Sequence, residues 1–191
     1  QYGLDQIRYF LLREITFGSD GDFSTDALKS RINADLSNDL GNLCQRSLTM
    51  IVKHCNATIP TNKNITELDK MFLSRISNEL DELKSHVDNQ EINIYINKIW
   101  DIVASANKYF NDNKPWELKD TNKVNFDNVL YVTAEIIKQI GIMIYPVMPD
   151  TSNRILNFYN INVKNVTLDI LNFDLTNTKL NEIKPLFPRV E

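Results

Sequence analysis

The chain has 191 residues, of which 42% are hydrophobic and 24% charged, and its formal net charge is −4. This composition is typical of a globular protein with one or two domains and a core of its own. It contains only 5 glycines and 6 prolines. An all-β fold needs frequent turns built from such residues, so their scarcity favours long helices. The acidic balance excludes a general DNA-coating protein but leaves local, base-specific contacts open.

The two cysteines, Cys44 and Cys55, are too few for a disulfide framework and suit a reducing compartment, so we expect a cytoplasmic protein. Neither histidine gives them the ligand spacing of a zinc site, and we expect no metal centre. No apolar run is long enough for a membrane span, and no signal peptide is visible. The start at Gln1, without Met, indicates a fragment of a longer protein.

Apolar residues at three- and four-residue spacing predict a series of helices. The first spans residues 5–15 and is followed by a glycine-containing loop at 17–23. Ser24 or Thr25 then caps a helix that runs to about residue 53, with Gly41 inside it. An ideal helical wheel places Asp35 and Asn38 on the polar face of this helix.

After a break at Pro60, Thr66 begins a helix whose expected inner face includes Leu68, Met71, Phe72, Ile76, Leu80, Leu83 and Val87. The next helix opens near residue 90 and ends at 111–114, because Pro115 disfavours helix for the residue before it. Its expected apolar stripe is Ile92, Tyr95, Ile96, Ile99, Val103, Ala106 and Phe110. Residues 126–145 are apolar almost all round, which predicts a central helix, and 151–159 form a short final one. Residues 161–191 show only a weak pattern. The predicted fold class is therefore all-α, a helical bundle with essentially no sheet.

The sequence contains no recognisable catalytic centre. The glycines at positions 18 and 21 lack the following Lys and Ser or Thr of a phosphate-binding loop. Acidic neighbours such as Asp81 and Glu82 lie on a charged helix face, where solvation explains them.

Asn42 and Arg46 lie one turn apart on the polar face of the long helix, beside Lys53. An amide and a guanidinium at this spacing can offer several directed hydrogen bonds to base edges. The alternative is an ordinary solvated face.

Pro115 and Trp116 follow the end of a helix, and Lys108, Lys114 and Lys119 surround them in sequence. A Trp in a proline-initiated turn is a rigid platform on which an unstacked base can stack, and the lysines can meet phosphates. The alternative is a Trp that folds back as a lid over the core.

Several segments, taken together, form a pattern that extends over nearly the whole chain. They are Tyr2-Gly3-Leu4-Asp5, Arg8-Tyr9-Phe10-Leu11-Leu12-Arg13-Glu14, Phe17, Asp20-Gly21-Asp22-Phe23-Ser24, Asn33-Ala34-Asp35-Leu36, Asn38-Asp39-Leu40-Gly41-Asn42-Leu43 with Arg46, Asn107-Lys108-Tyr109, Pro115-Trp116, Tyr145-Pro146, Met148-Pro149 and Leu186-Phe187-Pro188-Arg189. This pattern resembles the family of bacterial-type methionyl-tRNA synthetases.

The resemblance implies an anticodon-binding helical bundle in which Asn42, Arg46 and Trp116, supported by Pro115, recognise the CAU anticodon of methionine tRNAs. It implies a linker at residues 1–23, the anticodon-binding domain at 24–160 and a tail at 161–191 that packs on the bundle or on the catalytic domain. The motifs of the catalytic domain are missing, so the ATP, magnesium, methionine and any zinc sites of the parent ligase lie outside this chain, which should be inactive alone. The implied partners are methionine tRNA and the catalytic domain, with no DNA and no membrane.

Two alternatives remain at this point. One is a non-enzymatic helical module that binds a partner protein through an apolar groove. The other is the anticodon domain of a different class I synthetase, for leucine, isoleucine, valine or cysteine, which the combination of Asn42, Arg46 and Pro115-Trp116 disfavours.

Overall fold

A computed structural model describes residues 2–15, 18, 23–61, 63–162 and 164–190. The described residues form helices and no strand, and one isolated bridge pairs Thr58 with Lys179. The all-α prediction is confirmed. The helices are α1 (Leu4–Glu14), α2 (Thr25–Arg31), α3 (Asn42–His54), α4 (Glu67–Leu73), α5 (Arg75–Asp88), α6 (Ile92–Asp112), α7 (Pro115–Leu118), α8 (Lys123–Met143) and α9 (Pro149–Phe158). Most of the predicted 17–23 loop lies outside the described residues.

Helix α8 forms the centre of the bundle, as its all-round apolar sequence predicts. Every residue from 128 to 143 is buried, and α3, α6, α7 and α9 pack around it. The final helix, α9, begins at Pro149, two residues before its predicted start, because the first position of a helix needs no backbone N–H. In the described part of the chain, no helix is long and apolar enough to cross a membrane.

The predicted long helix from residue 24 to 53 is continuous, but its middle is wider than an α-helix. Ile32–Gly41 is π-helical, and it joins α2 to α3. The wider turns bring Asp35, Leu36 and Ser37, three successive residues, into buried positions. The wheel's placement of Asp35 on the polar face is therefore wrong, because that wheel assumes α-helical geometry throughout.

The buried Asp35 connects α1 to the continuous helix formed by α2, Ile32–Gly41 and α3. Its carboxylate accepts a hydrogen bond from the Tyr9 hydroxyl at 2.6 Å and lies 3.3 Å from Arg13 Nε. The Tyr9 ring packs on Trp100 of α6 at a centroid distance of 4.5 Å. At the start of α1, Asp5 accepts the backbone N–H of Thr151 at 2.7 Å and so caps α9.

The helix predicted from Thr66 onward divides at Ser74, and part of its expected inner face is exposed. Leu68 and Met71 are 77% and 69% exposed, and Val87 is exposed as well. Asp69 takes the inner position instead, where its carboxylate accepts hydrogen bonds from the hydroxyl of the N-cap residue Thr66 at 2.8 Å and from the Tyr109 hydroxyl at 2.7 Å. These hydrogen bonds fix the rotation of α4 about its axis, so Leu68 and Met71 face solvent.

The segment after α9 is held against the bundle by a buried ion pair and by backbone hydrogen bonds. Lys138 and Glu135 of α8 lie 2.7 Å apart. Lys138 also donates to the Phe173 carbonyl, and Glu135 accepts the Leu175 N–H at 2.8 Å. The Ile59 N–H donates to the Thr178 carbonyl at 2.9 Å, which joins the tail to the loop after α3.

Candidate nucleic-acid interface

Asn42 and Arg46 lie in the first turns of α3, directly after the π-helical segment, and both side chains are exposed. Gly41 shapes this junction. A Cβ there would lie 2.9 Å from the Leu36 carbonyl oxygen, too close for any residue with a side chain unless the backbone shifts. The absence of a side chain at Gly41 thus permits the transition that presents Asn42 and Arg46 to solvent.

Trp116 is held by a tight turn between α6 and α7. Lys114 adopts a left-handed conformation with φ 42° and ψ 58°, and Pro115 follows as the buried first residue of α7. A left-handed conformation is strained for lysine, and such strain persists where the surroundings fix the backbone. The turn presents the Trp116 side chain, which is 40% exposed, at the surface of the bundle.

The fold brings Arg46 and Trp116 together, although 70 positions separate them in sequence. The guanidinium carbon of Arg46 lies 5.6 Å from the centre of the Trp116 ring and 5.3 Å from that of Phe110. Phe110 is buried and meets the Trp116 ring edge-on at 6.2 Å. Arg46 Nη2 donates to Asn111 Oδ1 at 3.1 Å. An aromatic platform and an oriented cation therefore share one surface.

The lysines around Trp116 have carboxylate neighbours. Lys108 lies 2.5 Å from Asp112, Lys114 lies 3.4 Å from Glu117, and Lys119 lies 3.2 Å from Asp120. All three pairs are exposed, so the lysines can exchange these partners at little cost. Arg46, by contrast, has no carboxylate partner among the described residues, and its charge is not neutralised locally.

The backbone beside Asn42 is also tied to α6. Asn107 Nδ2 donates to the Asp39 carbonyl at 3.2 Å, within one turn of Asn42. Burial, together with the nearby Asp35 carboxylate, raises the pKa of Asp39 above its ordinary value. The hydrogen bond that Asn107 donates to Asp39 and the one that Asn111 accepts from Arg46 tie α6 to the end of the π-helical segment and to the start of α3.

Neither cysteine takes part in this surface. Burial raises the pKa of the Cys44 thiol to about 12, and Cys55 lies at the far end of α3 beside Lys123 and Asp127. Within the described ranges, no three His, Cys, Asp or Glu side chains are grouped so that they could hold a metal ion.

The structure thus places Arg46, Pro115 and Trp116 in one cluster, with Asn42 one turn from Arg46 on the same helix. Two further members, Phe110 and Asn111, were missed as site residues by sequence reasoning. Phe110 belongs to the predicted core stripe of α6, and Asn111 marks only the expected helix end. Their relation to Arg46 depends on how α3 docks on α6, which local spacing does not reveal.

Comparison with known proteins gives two family matches. Residues 59–176 match the anticodon binding domain of methionyl tRNA ligase, and residues 1–48 match tRNA synthetases class I (M). A methionine–tRNA ligase from Brucella suis biovar 1 is 41% identical over 191 residues, which cover 99% of this chain and 37% of that protein. The chain spans little more than a third of the length of such relatives.

Solved structures of methionyl-tRNA synthetase from Mycobacterium tuberculosis share this fold. The apo form matches with a TM-score of 0.93 and 36% identity, over 99% of this chain and 39% of that one. The same enzyme bound by methionyl-adenylate matches with a TM-score of 0.92 and 36% identity, over 97% of this chain and 38% of that one. By sequence and by fold, the chain belongs to the family of methionyl-tRNA ligase anticodon-binding domains.

Proposed function

We propose that this chain recognises the CAU anticodon of methionine tRNAs, so that the complete ligase attaches methionine to them in an ATP-dependent reaction. Trp116 serves as a stacking platform for one unstacked anticodon base. Arg46 and Asn42 supply directed hydrogen bonds to base edges, and Pro115 supports the platform.

The observation that carries this proposal is the position of the Arg46 guanidinium, 5.6 Å from the ring centre of the partly exposed Trp116. Bases in single-stranded RNA are bound by stacking on aromatic rings and by hydrogen bonds to their exposed edges. The cluster offers both kinds of group on one surface. Asn42, one turn before Arg46, extends the row of donors along α3.

Directed contacts of this kind do not need a basic domain. The net charge of −4 weakens general attraction to phosphates, so base contacts must supply most of the selectivity of this chain. We therefore expect the isolated chain to bind tRNA weakly and the remainder of the ligase to supply further backbone contacts.

In this proposal the chemistry belongs to the remainder of the ligase. The solved Mycobacterium tuberculosis relative bound by methionyl-adenylate supports ATP and methionine sites in the parent enzyme. Residues 1–23 act as the linker from the catalytic domain, 24–160 as the anticodon-binding domain, and 161–191 as the tail. The chain alone is inactive in methionine activation and in charging, and the ligase works in the cytoplasm, with magnesium as the partner of ATP.

Fluorescence titration of the chain with a methionine tRNA anticodon stem-loop tests the proposal. The chain has two tryptophans, and Trp100 is buried against Tyr9, so stacking of a base should quench Trp116 selectively. We expect quenching by the CAU loop and less by a loop with an altered anticodon. Trp116→Phe should remove the signal, since Trp100 remains shielded.

Substitution of Arg46 gives the second arm of this test. Arg46→Ala should weaken stem-loop binding by about tenfold, which corresponds to the roughly 1–3 kcal/mol of a good side-chain contact to a base. Lys84→Ala, on the exposed side of α5, removes the same charge away from the cluster and serves as the control. Equal binding of CAU and altered loops by the parent chain would reject anticodon recognition and favour a protein-interaction module.

A further inference from the structure

The last turn of α6 carries a side chain that no family motif singled out and that touches the proposed base-reading arginine. Asn111 is exposed, and its Oδ1 accepts the Arg46 Nη2–H at 3.1 Å. We propose that Asn111 is a positioning residue, which orients the Arg46 guanidinium for anticodon recognition. This inference rests on the proposed function of the Arg46 and Trp116 cluster.

The arrangement fixes the guanidinium in two ways. The Phe110 and Trp116 rings, at 5.3 and 5.6 Å, limit its position, while Asn111 fixes the direction of one N–H bond. An arginine side chain that is free in solvent loses rotamer entropy when it binds. A guanidinium that is already oriented in the unbound protein loses less of it when a base arrives.

The identity of the acceptor also matters, because Asn111 is neutral. Each lysine near Trp116 has a carboxylate neighbour, whereas Arg46 is held by an amide oxygen. An amide can orient the guanidinium without cancelling its charge.

Asn111 cannot be explained by fold stability alone. It is exposed near the end of α6, and its described partner is Arg46, itself an exposed residue. Hydrogen bonds between exposed groups contribute little to folding because water replaces them. Removal of the amide should therefore change RNA binding far more than the melting temperature.

A double-mutant cycle on stem-loop binding tests the inference. Asn111→Ala should weaken binding of the CAU stem-loop by about two- to tenfold, the scale of one hydrogen bond. In an Arg46→Ala background the same substitution should have no further effect, because its target is absent. Asn113→Ala is the matched control, since Asn113 is exposed two residues away and donates to its own helix, at the Tyr109 carbonyl.

Asn111→Asp provides a second variant that keeps the contact. The carboxylate should hold Arg46 at least as firmly and leave the melting temperature unchanged or raised, yet weaken RNA binding by neutralising the guanidinium and repelling phosphates. Wild-type binding by both Asn111 variants, with Arg46→Ala impaired, would overturn the inference and leave the proposed function standing. A loss that is additive with Arg46→Ala would also overturn it. If Arg46→Ala itself binds normally, the proposed function fails.

Discussion

Replacement of Lys138 by methionine should strongly destabilise the chain, because it leaves a buried carboxylate without its partner. The side chains of Lys138 and Glu135 are 1% and 7% exposed and lie 2.7 Å apart. Breaking a buried pair by removing one member typically costs about 3–5 kcal/mol. The total stability of a domain is about 5–15 kcal/mol, so Lys138→Met should remove a large fraction of it.

Urea denaturation followed by far-UV circular dichroism measures this loss. Lys70→Met is the matched control, since Lys70 and Glu67 form an exposed pair at 2.6 Å that should contribute no more than about 1 kcal/mol. The double variant Glu135→Gln/Lys138→Met should recover much of the stability, because it removes both charges and keeps an acceptor for the Leu175 N–H. A cost below about 1 kcal/mol for Lys138→Met, or a double variant as unstable as the single one, would refute this reasoning.

Three further predictions concern the Trp116 ring, the buried tyrosines and Cys44. Trp116→Ala should lower the free energy of unfolding by less than the roughly 3–5 kcal/mol of a fully buried aromatic, since the Trp116 side chain is 40% exposed. The same substitution should weaken RNA binding, because it removes stacking worth roughly 1–3 kcal/mol per base. A large drop in melting temperature with intact anticodon discrimination would contradict the platform role. Burial raises the pKa of Tyr95 to about 12 and the pKa values of Tyr9, Tyr109 and Tyr159 well above 10. The free energy of unfolding should therefore stay constant with respect to these tyrosines below pH 10 and fall as the pH rises from about 10 to 12. Absorbance titration checks this: only part of the 7 tyrosines should ionise before the native chain unfolds, whereas all of them should ionise together in denaturant. Cys44 should resist alkylation at neutral pH until the chain unfolds, whereas rapid labelling of both cysteines in the native state would argue against its burial.

Much of the fold could be predicted from periodicity because the bundle is built from amphipathic segments around one apolar helix. The α6 stripe and the burial of α8 follow directly from the spacing of their apolar residues. The inward position of Asp69 could not be predicted in this way. Its partners, the Thr66 cap and the distant Tyr109 hydroxyl, determine which side of α4 is buried, and they place Leu68 and Met71 in solvent.

The candidate site was only partly predictable for a related reason. Asn42 with Arg46 and Pro115 with Trp116 are local patterns, so sequence spacing identifies each pair. Their convergence depends on the docking of α3 against the last turn of α6. The roles of Asn42, Arg46 and Trp116 in anticodon recognition depend on the family resemblance, and the recognition of individual bases stays a prediction.

The π-helical segment Ile32–Gly41 also determines where the length of this chain can change. A π-helical stretch accommodates more residues per turn than the α-helices on either side of it. Loss of one residue from its exposed side, for example Ala34, can be absorbed as the stretch tightens toward α-helical geometry, and the flanking helices keep their orientation. The same loss inside α3 would rotate the following residues by about 100°. We therefore expect that a one-residue deletion before Asn42 leaves Arg46 directed toward Trp116, whereas a deletion between Asn42 and Arg46 does not.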